Sequence, residues 1–147
     1  MTKDNTILMV QRTINASAER LFDAWTKPDL MKQWFRASEK MTTTAAEADL
    51  WLGGAWRVEM KTSTGLTYPN NGQYKVIDRP NKLVFTWHPN EEADYETIVT
   101  LIFKKVSENV TDFSLTHEGL RNEEDKSDHT DGWNGCVSML EKWARTN

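Results

Sequence analysis

The spacing of hydrophobic and polar positions changes character along the chain, and each change marks an element boundary. Ile7–Ile14 is rich in branched apolar residues and alternates, which predicts a strand with Leu8, Val10, Arg12 and Ile14 on one face. An arginine on that apolar face has no explanation at this level. Ala18, Leu21, Phe22 and Trp25 then follow the i, i+3, i+4, i+7 rule of an amphipathic helix, with Ser17 or Asn15 as its N-cap. Pro28 suits the first turn of a second short helix, whose apolar stripe is Leu30, Met31, Trp34 and Phe35.

From Thr42 to His117 the helical period gives way to strands separated by turn residues. The connections are too short for crossover helices, so the sheet is antiparallel. Gly53-Gly54 punctuates before Trp56, Val58 and Met60, which alternate with Ala55, Arg57 and Glu59 as in a half-buried strand. Ser63-Thr64-Gly65 reads as a turn. Asn71-Gly72 is normally a strong hairpin signal, while Pro69 confines the segment before it to a sheet edge or a bulge. Tyr74 and Val76 alternate with Gln73, Lys75 and Ile77. Asp78-Arg79-Pro80-Asn81 then turns the chain into a strand with Leu83, Phe85 and Trp87 on one face. Two more strands follow, Tyr95–Val106 with Val99, Leu101 and Phe103 on one face, and Val110–His117 with Phe113 and Leu115. They are joined at Ser107-Glu108-Asn109. The acidic run Glu91, Glu92, Asp94 and Glu96 reads as a solvated loop and strand entry.

After Glu118-Gly119 the pattern is helical to the end. Asn122 is the N-cap, Glu123, Glu124 and Asp125 place negative charge at the helix N-terminus, and Lys142 and Arg145 place positive charge at its other end. Trp133, Cys136, Val137, Leu140, Trp143 and Ala144 form one apolar stripe beside Gly132 and Gly135. Each glycine costs a helix roughly 1 kcal/mol relative to alanine. That cost points to space being needed there, for a close-packed strand or for a ligand.

These elements have a simple physical solution in the α+β class, a helix-grip fold. A curved antiparallel sheet of about six or seven strands, flanked by two short helices, is closed on its concave face by the long C-terminal helix. A sheet covered in this way leaves an apolar cavity in its middle.

Composition narrows the functional classes. A chain of 147 residues, 38% hydrophobic and 27% charged, is one domain spanning residues 1–147, with a core from about 6 to 146. The net charge of −4 argues against nucleic acid as a partner, because neutralising phosphates needs clustered Lys and Arg. The apolar runs are too short for stable membrane insertion and the N-terminus lacks a signal-peptide pattern, so the expected location is the cytoplasm. Cys136 is the only cysteine, so no internal disulfide forms. Seven tryptophans are the compositional oddity, suggesting a bulky core or the lining of a cavity.

Five ordered segments resemble the START-like (SRPBCC, helix-grip) superfamily. Within it they resemble bacterial proteins similar to the C-terminal domain of the activator of the heat-shock-protein-90 ATPase. The segments are INASAERLFDAWTKPDLMKQWF, DLWLGGAWRVEM, TYPNNGQYKVIDRPNKLVFTW, SLTHEGL and HTDGWNGCVSMLEKW, which together cover nearly the whole chain. The resemblance implies the helix-grip fold and a hydrophobic cavity. Its functional implications are broad, since the superfamily spans lipid and hormone carriers, polyketide cyclases and co-chaperone domains. Ala16 departs from the pattern, standing where such proteins commonly carry a proline before the first helix.

The candidate cavity residues come from separated segments. Trp34 lies on the second helix, Trp56, Tyr74, Phe85, Trp87, Phe113 and His117 on the sheet, and Gly132, Trp133 and Cys136 on the last helix. Trp51 belongs to the same aromatic set, and Ser138 is a further small residue on the helix facing it. Strand parity turns His117 inward, where it is either a buried histidine satisfied by a backbone carbonyl or Glu118, or a ligand-contacting or proton-transferring group. Arg12, Arg57, Tyr74 and His117 are the polar groups placed to orient a ligand, although the parity of Arg57 points to solvent. His88, His117, His129 and Cys136 lack metal-ligand spacing, so no metal and no cofactor are expected. Cys136 sits on an apolar stripe and reads as a small hydrophobe, and no Gly-x-Ser-x-Gly, P-loop or dinucleotide fingerprint is present, so no catalytic residue is assigned.

The leading expectation is a binding module for a small apolar or aromatic molecule, monomeric or homodimeric, and not an enzyme. The alternative is a co-chaperone-like domain whose partner is a chaperone ATPase. The third reading is a cyclase or hydrolase using His117 as an in-cavity acid or base.

Overall fold

A computed structural model describes residues 7–89 and 94–146. The elements run β1 (Ile7–Ile14), α1 (Ala18–Thr26), α2 (Pro28–Trp34), β2 (Thr42–Ala48), β3 (Ala55–Lys61), β4 (Thr67–Asp78), β5 (Lys82–Trp87), β6 (Thr97–Ser107), β7 (Val110–Glu118) and α3 (Glu123–Thr146). One seven-stranded antiparallel sheet has the order β1-β7-β6-β5-β4-β3-β2. The strands from β2 to β7 form a meander, and β1 adds to its end beside β7. With two short helices and the long α3, this is the α+β helix-grip fold that the alternation predicts.

The inner face is built row by row from the register. Leu83, Leu101, Leu115 and Val10 align across β5, β6, β7 and β1, and Phe85, Val99, His117 and Leu8 form the next row. All eight side chains are buried. Ser17 caps α1 by accepting from the backbone N–H of Arg20 at 3.1 Å, and Asn122 caps α3 by accepting from Asp125 N–H at 2.8 Å. Pro28 opens α2 as expected.

Four details depart from the sequence pattern. Asn71-Gly72 makes no turn, because β4 runs through it for 12 residues. Residues 67–73 of β4 pair with β3, and only from Tyr74 onward does β4 pair with β5, so Pro69 lies where β4 has one hydrogen-bonded neighbour. Gly72 is needed for close approach, since a Cβ there would run into the carbonyl oxygen of Thr86 and lie 2.7 Å from the Trp56 indole nitrogen. A register shift between Tyr74 and Val76 then breaks the alternation. Val76 is exposed, and Ile77 packs against the core in its place. The strand predicted from Tyr95 begins at Thr97, and the Tyr95 ring instead faces the Arg121 guanidinium at 3.7 Å. Trp51, grouped with the inner aromatics, is 61% exposed at the β2–β3 loop.

Arg12 is explained by α3. Its guanidinium donates to Asn134 Oδ1 at 2.9 Å and lies 3.6 Å from Glu141, so a charged residue on the inner face of an end strand is satisfied by polar residues of the helix above it. Arg57 faces away from the core and pairs with Glu59 at 3.6 Å. In the acidic run, Glu91 and Glu92 lie outside the described residues, Asp94 is 4.0 Å from Arg121, and Glu96 is 3.6 Å from His88. No helix among the described residues is long and apolar enough to cross a membrane.

Candidate functional site

The apolar stripe of α3 extends one turn farther toward its N-terminus than Trp133. His129, Gly132, Trp133 and Cys136 follow the i, i+3, i+4, i+7 spacing and line a pocket of about 260 Å³ together with Asp128. The opposite wall comes from Met60 at the end of β3, Tyr68 at the start of β4 and Trp87 at the end of β5, with Ala37 from the segment after α2. The exposed lining is almost wholly apolar.

The two helix glycines answer different needs. A Cβ on Gly132 would meet no atom within 4 Å, so this glycine leaves the pocket open. A Cβ on Gly135 would collide with the backbone carbonyl of Ala37, so this one brings α3 against the segment that follows α2.

The structure divides the ten predicted residues. Trp87, Gly132, Trp133 and Cys136 line the pocket. Trp56, Tyr74 and Phe85 instead surround a void of only about 10 Å³ under α1 and α2, no larger than a single water needs. Trp34 and Phe113 are filled core. The Trp34 indole donates to the carbonyl of Ala24 at 2.9 Å and its ring stacks on Phe35, and Phe113 stacks against Trp25 at 5.8 Å. His117 lies behind the pocket wall. Met60, Tyr68, Ala37, Asp128 and His129 were not legible as site residues, although the helical spacing from Gly132 back to His129 was available.

His117 is fully buried, and its bonding fixes its protonation. The Trp133 indole can only donate, and it does so to Nδ1 at 2.9 Å, so Nε2 carries the proton of the neutral ring. That Nε2–H lies 2.6 Å from Thr97 Oγ1, whose own hydroxyl donates to the Trp87 carbonyl at 2.8 Å. The partners are therefore Thr97 and Trp133, not a backbone carbonyl or Glu118. Burial, and secondarily the charge of nearby His129, hold the His117 pKa down to about 3. His129, half-buried, places its Nδ1 2.8 Å from the Asp125 carbonyl and its ring 5.2 Å from His117, which makes it the histidine that reaches the pocket.

Two further buried groups, Cys136 and Tyr74, are kept neutral. Burial pushes the Cys136 thiol up to about 12, against a smaller opposing effect of Arg36, and burial with the charge of Asp49 raises Tyr74 above the ordinary tyrosine range. Among the described residues, no three His, Cys, Asp or Glu side chains gather in a group that would hold a metal ion. A larger, open groove of about 420 Å³ between α2 and the end of α3 has a mixed polar and apolar lining, in which Lys142 pairs with Glu39 at 2.7 Å and the Trp143 indole donates to Gln33 at 2.7 Å.

Fold and pocket together define a helix-grip protein with an apolar recess beside its closing helix. A family model described as activator of Hsp90 ATPase homolog 1-like protein matches residues 15–145, and the chain belongs to that family. Solved structures share the fold. A protein from Rhodobacter sphaeroides is 22% identical, with 97% of this chain and 93% of that one covered at a TM-score of 0.81. An AHSA1 protein from Silicibacter pomeroyi is 24% identical over 92% and 95% at 0.79, and an AHSA1-like protein from Aeromonas hydrophila is 19% identical over 95% and 93% at 0.76. No curated protein matches the chain.

Proposed function

We propose that the protein binds a small apolar or amphipathic molecule in the recess between α3 and the ends of β3, β4 and β5. The observation that carries this reading is the open space in front of Gly132. A helix-destabilising residue stands on an apolar stripe, nothing packs against it, and the walls around it are aromatic and aliphatic. An apolar cavity of about 150 Å³ accommodates benzene, so about 260 Å³ suits a substituted aromatic or a short chain. Burying roughly 150–250 Å² at about 25 cal/mol per Å² gives roughly 4–6 kcal/mol, or dissociation constants from tens of micromolar to about a millimolar. Tryptophan fluorescence titrated with small aromatics, alcohols and short fatty acids tests it. Saturable quenching that Gly132→Leu abolishes supports the reading, and no response from any of them overturns it. His117 serves this role as scaffold, since both ring nitrogens are engaged and neither faces the recess.

The co-chaperone reading has one feature in its favour. Trp51 and Leu52 are 61% and 70% exposed at the β2–β3 loop, and the loop is held by backbone bonds from Gly53 N–H to the Tyr74 carbonyl and from Tyr74 N–H to the Gly54 carbonyl. Large side chains presented on a fixed tip suit contact with another protein. On this reading a Trp51→Ser, Leu52→Ser double variant loses stimulation of a chaperone ATPase that the parent protein stimulates. Absence of any stimulation by the parent removes the reading.

A further inference from the structure

The pocket combines an aromatic wall with a carboxyl side chain and no Lys or Arg. Trp87 and Trp133 have ring centroids 4.8 Å apart with planes inclined at 53°, and His129 stands edge-on to Trp87 at 6.3 Å with planes at 81°. Tyr68, half-exposed, completes the rim. Rings this close pack on one another and on Trp56 as one continuous aromatic wall, and an aromatic face turned to a recess attracts an organic cation that comes within about 6 Å of it. No Lys or Arg lines this recess, and the one carboxyl side chain of the lining is that of Asp128. Asp128 belongs to the acidic first turns of α3, where residues 123–131 hold Glu123, Glu124, Asp125, Asp128 and Asp131 against the single Lys126.

We infer that the preferred occupant is an amphiphile with an alkylammonium head, its apolar part against Met60, Gly132 and Cys136 and its cation among Tyr68, Trp87 and Trp133 beside Asp128. The inference rests on the ligand-binding reading above and adds the charge of the ligand. A carboxylate head in the same place is opposed twice. It faces the ring quadrupoles and the acidic helix turns, and it finds no Lys or Arg in the lining to offset its lost hydration. A neutral head is tolerated and gains nothing from either feature.

Three probes that share the phenethyl group decide this on the intact protein: phenethylammonium, phenethyl alcohol and hydrocinnamate, titrated by calorimetry at low and at moderate salt. The ammonium is expected to bind about tenfold more tightly than the alcohol, and the carboxylate more weakly than the alcohol. Added salt lowers the ammonium's advantage, and Asp128→Asn and Tyr68→Leu each reduce it severalfold. Hydrocinnamate binding as tightly as the ammonium overturns the inference, as does an ammonium-to-alcohol ratio that neither substitution moves. If the alcohol binds and the ammonium binds no better, the head-group inference fails while the pocket reading stands. If none of the three binds and Gly132→Leu changes nothing, the pocket reading fails and the inference falls with it.

Discussion

The indole of Trp133 on α3 donates to Nδ1 of His117 on β7 at 2.9 Å, tying the closing helix to the second strand of the sheet by a buried side-chain bond. The chain of donors continues through Thr97 to the Trp87 carbonyl, so two residues of the pocket wall, Trp87 and Trp133, are positioned by a histidine that does not itself line the pocket.

Replacing His117 with Phe keeps the volume and removes both hydrogen-bonding nitrogens. It leaves the Trp133 N–H without its acceptor in a dry setting. The expected cost is about 2–4 kcal/mol in urea unfolding, and Thr97→Val is expected to cost less, about 1–2 kcal/mol. Because the two residues share one network, the double variant should cost less than the sum of the single changes. Strict additivity contradicts a continuous chain of bonds.

The same histidine sets a pH dependence. Its pKa is about 3 in the folded protein against an ordinary value of 6.5, so between those limits the unfolded chain takes up a proton that the folded ring refuses. Its contribution to stability is therefore fully present above about pH 6.5 and is lost as pH falls toward 3, with a slope of up to about 1.4 kcal/mol per pH unit. Unfolding free energies measured across this range for the parent and for His117→Phe should converge as pH is lowered. Parallel curves would assign the acid sensitivity elsewhere.

Gly132 and Gly135 should respond in opposite directions to alanine. At Gly132 the added methyl group enters open space and removes a helix penalty, so Gly132→Ala is expected to raise stability by about 0.5–1 kcal/mol. At Gly135 the methyl group meets the Ala37 carbonyl, so Gly135→Ala should destabilise by more than the helix gain returns, a net loss of about 1–3 kcal/mol. Thermal unfolding of both variants checks the contrast.

These glycines also show how far the sequence reaches. Helix spacing placed both on the inner stripe of α3 and identified the cost they carry. It had no means of separating one that contacts backbone from one that faces a void, because that difference depends on where Ala37 arrives from a remote segment. Strand alternation gave the inner faces of β5, β6 and β7 residue by residue. It failed at Val76 and Ile77, where the shift between β4 and β5 moves the inward position by one, and at Asn71-Gly72, where a glycine needed beside Thr86 looks like a turn residue. Trp34, Phe113 and Trp87 all read alike as inward aromatics. Their separation into filled core and pocket wall follows from packing against α1, α2 and α3, which no local pattern encodes. Asp128 and Tyr68 are exposed and gave no burial signal at all.

Cys136 touches the pocket, yet its thiol should be inert. Burial raises its pKa to about 12, and the thiolate is the reactive form. Modification by a maleimide or a disulfide reagent at pH 8 should therefore proceed at the rate of unfolding and become fast in urea. Rapid modification of the native protein would mean that the pocket opens to solvent at Cys136 far more than its burial allows.

The central claim, that the recess at Gly132 accepts an apolar ligand, is tested most directly by following the indole and backbone N–H resonances while phenethyl alcohol is added. The account predicts saturable shifts concentrated on the Trp87 and Trp133 indoles and the Gly132 and Met60 amides, with the buried Trp34 indole unmoved. Shifts that fail to saturate, or that fall on the β2–β3 loop at Trp51 and Leu52 instead, would contradict it.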